Sequence, residues 1–244
     1  MIIDVRIDDD FNLDPDYIPG AFRHTFKSVL DLTDRLTDKS VVVYCQKGKK
    51  ISQGAVALLR TAGIKVESLE GGHFAWRDAG LPLIPAQTIP IVQSSGSTLW
   101  VTRHRPKIDR MACPWLIRRF VDSDAQFLFV APSEVLAVAE KFEATAFDVD
   151  GVYSSHRDDR CTFDTMLEEF GLSTKPLLRL AEIIRGADTN RLDLTPESAG
   201  LLAASLGYSR MYRNDVEQID AGMALYDAFY RWSRDAVDET HDWP

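Results

Sequence analysis

Four consecutive apolar residues, Val41-Val-Val-Tyr44, run directly into Cys45 and a short basic loop, after which the pattern turns helical. The run is β-branched and lacks polar alternation, as a strand buried on both faces requires. From Ser52 to Arg60 the apolar positions recur at helical spacing, and Gly63 stands where a helix would stop. Val66-Glu-Ser-Leu69 then reads as another strand, broken by Gly71-Gly72. Strand, helix and strand over so few residues predict a βαβ crossover between parallel strands. Ile2-Ile-Asp-Val5 adds a further strand, so the first half is expected to be α/β with a parallel sheet. Ligands on such sheets gather where strands end and helices begin. Cys45 falls at that point.

The pattern changes after Leu83. Pro82, Pro85 and Pro90 are followed by Gln93-Ser-Ser-Gly-Ser-Thr98, a stiff stretch and then a loose one, which reads as a linker. Two domains are expected, 1–85 and 99–244, joined by 86–98. Charge is uneven across the break: residues 1–85 hold 11 basic and 12 acidic side chains, and residues 86–244 hold 17 and 25. In the second half, Leu116, Ile117 and Phe120 predict a helix after Pro114, and Gln126-Phe-Leu-Phe-Val130 and Thr145–Val149 read as strands. Ser133 is placed to cap a helix to about Phe142. Thr162 opens another that Gly171 closes, and Thr195-Pro-Glu197 supplies a further start. Val216, Ile219, Met223, Tyr226 and Tyr230 form a stripe along a long final helix. A mainly helical α+β second domain results.

Composition narrows the function classes. A net charge of −9 works against non-specific binding to nucleic acid, and no recognition module for it is evident. No apolar run approaches the length needed to span a bilayer, and the N-terminus lacks the regions of a signal peptide. Cys45, Cys113 and Cys161 have no CxxC spacing, which fits free thiols in a reducing compartment. A cytoplasmic protein without a membrane partner is expected.

The loop Cys45-Gln46-Lys47-Gly48-Lys49-Lys50 carries the clearest chemistry. A cysteine at a helix N-terminus, among loop amides and three lysines, is favoured as thiolate, the form that attacks sulfur. The same surroundings suit a small anionic sulfur donor. From these residues alone, a buried structural cysteine in a solvated lysine loop remains an equal reading.

Four ordered motifs bear on that choice: Asp4-Val5-Arg6, Tyr17-Ile-Pro-Gly-Ala21, Val43-Tyr44-Cys45, and Gly71-Gly-His-Phe-Ala-Trp-Arg-Asp-Ala-Gly-Leu-Pro82. Together they resemble a rhodanese domain over nearly the whole first half. The resemblance implies a sulfurtransferase that needs no cofactor. Cys45 would take sulfane sulfur from a donor such as thiosulfate, hold it as a persulfide amid the amides of Gln46 to Lys50, and pass it to a thiophilic acceptor. Lys50 stands where many relatives have arginine, and lysine offers no bidentate fork to an oxyanion. The related phosphatase loop needs an arginine, and none precedes Arg60, so phosphatase activity is not expected. The family usually has a strand and a helix before the Asp-Val-Arg segment, so sheet completion is expected to come from elsewhere. His73 is read as structural, within the family's closing turn.

Three stretches mark the second half: Thr102–Arg119, Phe147–Gly171 and Leu180–Asp188. From about Trp100 to Arg231 they resemble the C-terminal domain of the chromate-resistance ChrB family, with a rhodanese-like domain in place of that family's usual N-terminal region. The resemblance implies a role in chromate or oxyanion stress. The first stretch holds Arg103, Arg105, Lys107, Arg110, Arg118 and Arg119 against Asp109 alone. It can recruit an oxyanion such as chromate, or it can pair internally with the surplus acids. His156 sits in a polar loop, and Asp109, Glu182 and Asp188 lie in the other stretches. One imidazole and several carboxylates, if folding joins them, suit zinc, iron or manganese. An ion pair between His156 and an aspartate is the alternative. Cys113 and Cys161 are read as packed. Three functions therefore compete: sulfur transfer at Cys45, a non-catalytic oxyanion or redox sensor, and metal-dependent chemistry in the second domain. Nothing in the sequence indicates an oligomeric state.

Overall fold

A computed structural model describes residues 1–94 and 96–240. Ser95 of the predicted linker and the last four residues of the predicted second domain lie outside this range. The chain forms two compact units: Met1–Ile89 with Arg119–Ser123, and Pro90–Arg118 with the chain from Asp124 onward.

In the first unit the elements run β1 (Ile2–Asp4), α1 (Asp8–Leu13), β2 (Asp16–Tyr17), β3 (Ala21–Arg23), α2 (Thr33–Leu36), β4 (Val41–Tyr44), α3 (Lys50–Thr61), β5 (Val66–Ser68), α4 (Gly72–Asp78) and β6 (Ile84–Pro85). The main sheet is parallel, in the order β3-β1-β4-β5. The period-two geometry of a strand divides it into two buried faces. Ile3, Val5, Val41 and Val43 pack with Val29, Leu36, Ala55, Val56 and Leu59. Tyr44 packs on the other side with Ile18 and Ala21. Burial on both faces is why β4 reads as an uninterrupted apolar run. All four strands of this sheet come from residues 2–68, with β3 at the edge beside β1.

The second unit contains β7 (Leu99–Arg103), α5 (Ile108–Leu116), β8 (Gln126–Val130), α6 (Val135–Phe142), β9 (Thr145–Ala146), α7 (Thr162–Glu169), α8 (Lys175–Asp188), α9 (Glu197–Met211) and α10 (Asp215–Asp235). Its parallel sheet has the order β8-β7-β9, and most of the rest is helical. Trp100 meets Phe147 and Phe170 edge-on, and Trp115 contacts Phe163, Tyr226 and Tyr230. Two local expectations need correction. The helix expected after Pro114 begins earlier, at Ile108, with the proline inside it. Proline there denies the Arg110 carbonyl its helical donor, yet every residue of α5 except Arg110 is buried, and burial outweighs propensity. Ser133 lies within a 3-10 turn and donates to Glu134 rather than capping α6.

Candidate functional site

Cys45 follows the last residue of β4, and α3 begins five residues later. The intervening loop is pinned through its carbonyls. Amides at the start of α4, those of His73 and Phe74, donate to the carbonyls of Cys45 and Gln46 at 3.0 Å each. With the carbonyls held outward, loop amides are left to face the sulfur. Gly48 has φ +62°, and a Cβ there would lie 2.5 Å from the Leu69 carbonyl oxygen and 2.6 Å from the Gly72 amide nitrogen. Gly72, at φ +60°, meets the same loop from the other side, so this glycine pair is a backbone-to-backbone contact that tolerates no side chain.

The Ser52 hydroxyl lies 3.3 Å from Cys45 Sγ and 3.2 Å from the Lys49 carbonyl oxygen, and its single proton turns to the sulfur when that is a thiolate. Burial works against ionisation of the Cys45 thiol. Hydrogen bonds from the Ser52 hydroxyl and from the amides of Ser52, Lys49 and Lys47 outweigh it and hold the thiol below its ordinary value. Cys113 and Cys161 are the opposite case: burial pushes both thiols well above the ordinary range. Lys47, Lys49 and Lys50 are exposed, Gln46 is half-buried, and Gly48 is buried. Ser52 was not singled out by sequence. The signal was a small polar residue in an otherwise apolar-spaced first helical turn, seven residues after the cysteine. Replacing Ser52 by Ala is expected to slow alkylation of Cys45 by iodoacetamide at neutral pH by on the order of fivefold, the worth of one hydrogen bond to the thiolate. The rate profile should move to higher pH; an unchanged profile would remove Ser52 from this role.

His73 is fully buried on α4, stacked on Tyr44, with neither ring nitrogen hydrogen-bonded. Burial holds its pKa below the usual histidine value.

In the second unit, folding brings together groups far apart in sequence. His156 Nε2 lies 3.3 Å from a carboxylate oxygen of Asp109, of Asp148 and of Asp188. Asp109 comes from the first turn of α5, Asp188 from the last residue of α8, and Asp148 from the loop after β9. The amides of Thr162 and Phe163, at the start of α7, donate to Asp109 at 2.6 and 3.4 Å. Arg103 and Arg110 both contact the outer oxygen of Asp148, at 2.9 and 3.2 Å. The three carboxylates gathered around the imidazole favour its protonated form and push His156 up to about 12. Burial pushes Asp109 up to about 6 despite the imidazole. Asp148 is held below the usual carboxylate range, since hydrogen bonds from His156 and Arg103 exceed its burial penalty.

Glu182 does not join this cluster. It is exposed and lies six residues before Asp188 on α8, which turns it well away around the helix axis. Asp148 takes the place that sequence reasoning assigned to Glu182. The basic stretch is largely paired internally: Arg103 and Arg110 hold Asp148, Arg118 meets Asp220 at 2.5 Å, and Arg105 donates to the carbonyls of Tyr212 and Ser209.

Comparisons with known proteins agree with this division. A rhodanese-like domain model matches residues 1–79, and the model described as ChrB, C-terminal domain, matches residues 100–233. Protein ChrB of Cupriavidus metallidurans is 35% identical over 132 residues, which cover 54% of this chain and 39% of that protein. The HTH-type transcriptional regulator Rv0324 of Mycobacterium tuberculosis is 33% identical over 84 residues, covering 34% of this chain and 36% of that protein. The chain thus spans well under half the length of these curated relatives. Among solved structures, the rhodanese-3-like domain of Alr3790 from Anabaena is 31% identical, covering 34% of this chain and 95% of that one, with a TM-score of 0.30. A Rhodopseudomonas palustris protein of unknown function, described as a possible tyrosine phosphatase, is 33% identical, covering 34% and 69%, with a TM-score of 0.31. A parallel-sheet rhodanese-like domain therefore occupies the N-terminal part, and with its C-terminal domain model matching more than half of the residues, the chain belongs to the ChrB family.

Proposed function

We propose that this chain is a sulfur carrier in chromate or oxyanion stress, holding sulfane sulfur on Cys45 as a persulfide. The observation that carries this reading is the contrast among the three free cysteines. Cys45 alone has a thiol held below its ordinary value, and it alone sits at a strand end among hydrogen-bond donors. The Cys45 thiolate attacks the outer sulfur of thiosulfate, the S–S bond of the donor breaks, and its electron pair leaves on sulfite. A thiophilic acceptor such as cyanide then attacks the terminal sulfur of the persulfide, and thiocyanate departs with the thiolate restored. No net electrons and no cofactor are required. The amides that stabilise the thiolate serve the terminal persulfide anion in the same way. The exposed Lys47, Lys49 and Lys50 give the loop a positive field that draws in a dianionic donor, in a protein of net charge −9. The rhodanese-like and ChrB matches support the sulfur chemistry and the stress context respectively. No helix among the described residues is long and apolar enough to cross a membrane.

The test is intact-mass measurement after incubation with thiosulfate and removal of the excess. One added sulfur atom per chain is expected, located on the Cys45 peptide and released by cyanide as thiocyanate. A Cys45 that alkylates readily yet never gains sulfur would overturn the proposal and leave the loop an oxyanion-binding or redox-sensing module.

A further inference from the structure

We propose that Asp109, Asp148, Asp188 and His156 form a binding site for one divalent first-row metal cation, of the Mn²⁺, Fe²⁺ or Zn²⁺ class. The four side chains arrive from α5, the loop after β9, α8 and the loop before α7, and meet around one ring nitrogen. One donor atom each from Asp109, Asp148 and His156 lies within 4.8 Å of the others. Nitrogen-to-oxygen separations of 3.3 Å are close to the edge of a coordination polyhedron whose metal–ligand bonds are about 2.0–2.2 Å.

Proton counting separates this set from an ordinary ion pair. A ring nitrogen carries at most one proton, so Nε2 can donate to one carboxylate oxygen, while three surround it. The arginines do not make up the difference. Arg103 and Arg110 both contact the outer oxygen of Asp148, the one turned away from the imidazole, and no positively charged side chain other than His156 reaches Asp109 or Asp188 among the described ion pairs. Asp109 is only 2% exposed, and an uncompensated carboxylate there is costly. A divalent cation held by Asp109, Asp148 and His156, with the Asp188 carboxylate beside the imidazole, compensates this excess of acid, which a single proton cannot do.

The surroundings have the form of an outer shell. The Thr162 and Phe163 amides fix Asp109, the Thr162 hydroxyl donates to Asp148 at 2.9 Å, and the two arginines orient Asp148 from behind. The imidazole is 43% exposed, so an ion can enter from solvent on its side. One imidazole nitrogen with two or more carboxylate oxygens suits Mn²⁺, Fe²⁺ and Zn²⁺ better than Mg²⁺, which keeps more of its water and gains little from an imidazole.

The full chain, stripped with a chelator and dialysed, is titrated calorimetrically with Mn²⁺, Zn²⁺ and Mg²⁺ separately. One Mn²⁺ or one Zn²⁺ per chain is expected, Zn²⁺ the tighter, with Mg²⁺ at least tenfold weaker than Mn²⁺. His156→Ala and Asp148→Asn should each weaken Mn²⁺ binding by about 100-fold or more, and Glu182→Gln should leave it unchanged. Pulsed electron paramagnetic resonance of the Mn²⁺ complex should show coupling to an imidazole nitrogen in the unaltered chain, a readout independent of whether any variant folds. Absence of saturable one-per-chain binding would overturn the proposal. So would equal affinity for Mg²⁺, or a Mn²⁺ signal without nitrogen coupling.

Discussion

Cys45→Ser is expected to reduce thiosulfate-to-cyanide sulfur transfer to the rate of a protein-free blank while leaving the fold intact. The serine oxygen occupies nearly the same space at a buried position and can keep the hydrogen bond with Ser52. Unfolding stability should therefore change by no more than about 1 kcal/mol. Reactivity, by contrast, depends on a thiolate, and a serine hydroxyl is not ionised near neutral pH by the same few hydrogen bonds. Cys113 and Cys161 cannot substitute, since burial keeps both protonated. In the unaltered protein, activity should rise with pH and level off below the ordinary cysteine pKa of 9.0, because the Cys45 thiol is held lower than that. A serine variant as active as the parent would place the sulfur chemistry elsewhere or nowhere in this loop.

Arg6→Met is expected to destabilise the first unit by about 3–5 kcal/mol, the usual cost of stranding one member of a buried ion pair. The side chains of Asp4 and Arg6 are both 0% exposed and meet at 2.6 Å. The guanidinium also donates to the carbonyls of Asp14 and Asp16, at 2.9 and 2.6 Å, tying the chain from the end of α1 into β2 to the residues just after β1. Its loss leaves a buried carboxylate and two carbonyls short of a donor. Urea unfolding followed through each unit separately reads this out, since the two units need not unfold in one transition. Adding Asp4→Leu to the same chain should recover part of the loss, because no buried charge then remains unpaired. A loss below about 1 kcal/mol in the single variant would show that the pair contributes little to holding the unit together.

How much of this was legible in the chain depends on how local each feature is. β4, the loop and α3 were readable as they stand, because a doubly buried strand and an amphipathic helix each write their period into neighbouring residues. The motifs Asp4-Val5-Arg6 and Gly71-Gly72 marked where the rhodanese-like pattern lay. Their reasons appeared only in three dimensions, as a buried ion pair and as a backbone contact with Gly48. Ser52 stayed hidden because its seven-residue offset from Cys45 means nothing until the loop closes.

The second unit shows the limit more sharply. His156, Asp109 and Asp188 were candidates from sequence, Asp148 was not, and Glu182 was chosen in its place. A carboxylate's type and neighbourhood say that it can hold a charge. Which of several reaches one imidazole is set by helix rotation and by where α5, α8 and the loop after β9 converge, across 79 residues between Asp109 and Asp188. By itself the sequence determined the parallel α/β first half, the cysteine at its strand end and the helix-rich second half, since burial period and loop chemistry are short-range properties. Only the tertiary structure decided which hydroxyl touches the sulfur and which three acids surround the histidine, because contacts between distant segments depend on packing that no local pattern encodes.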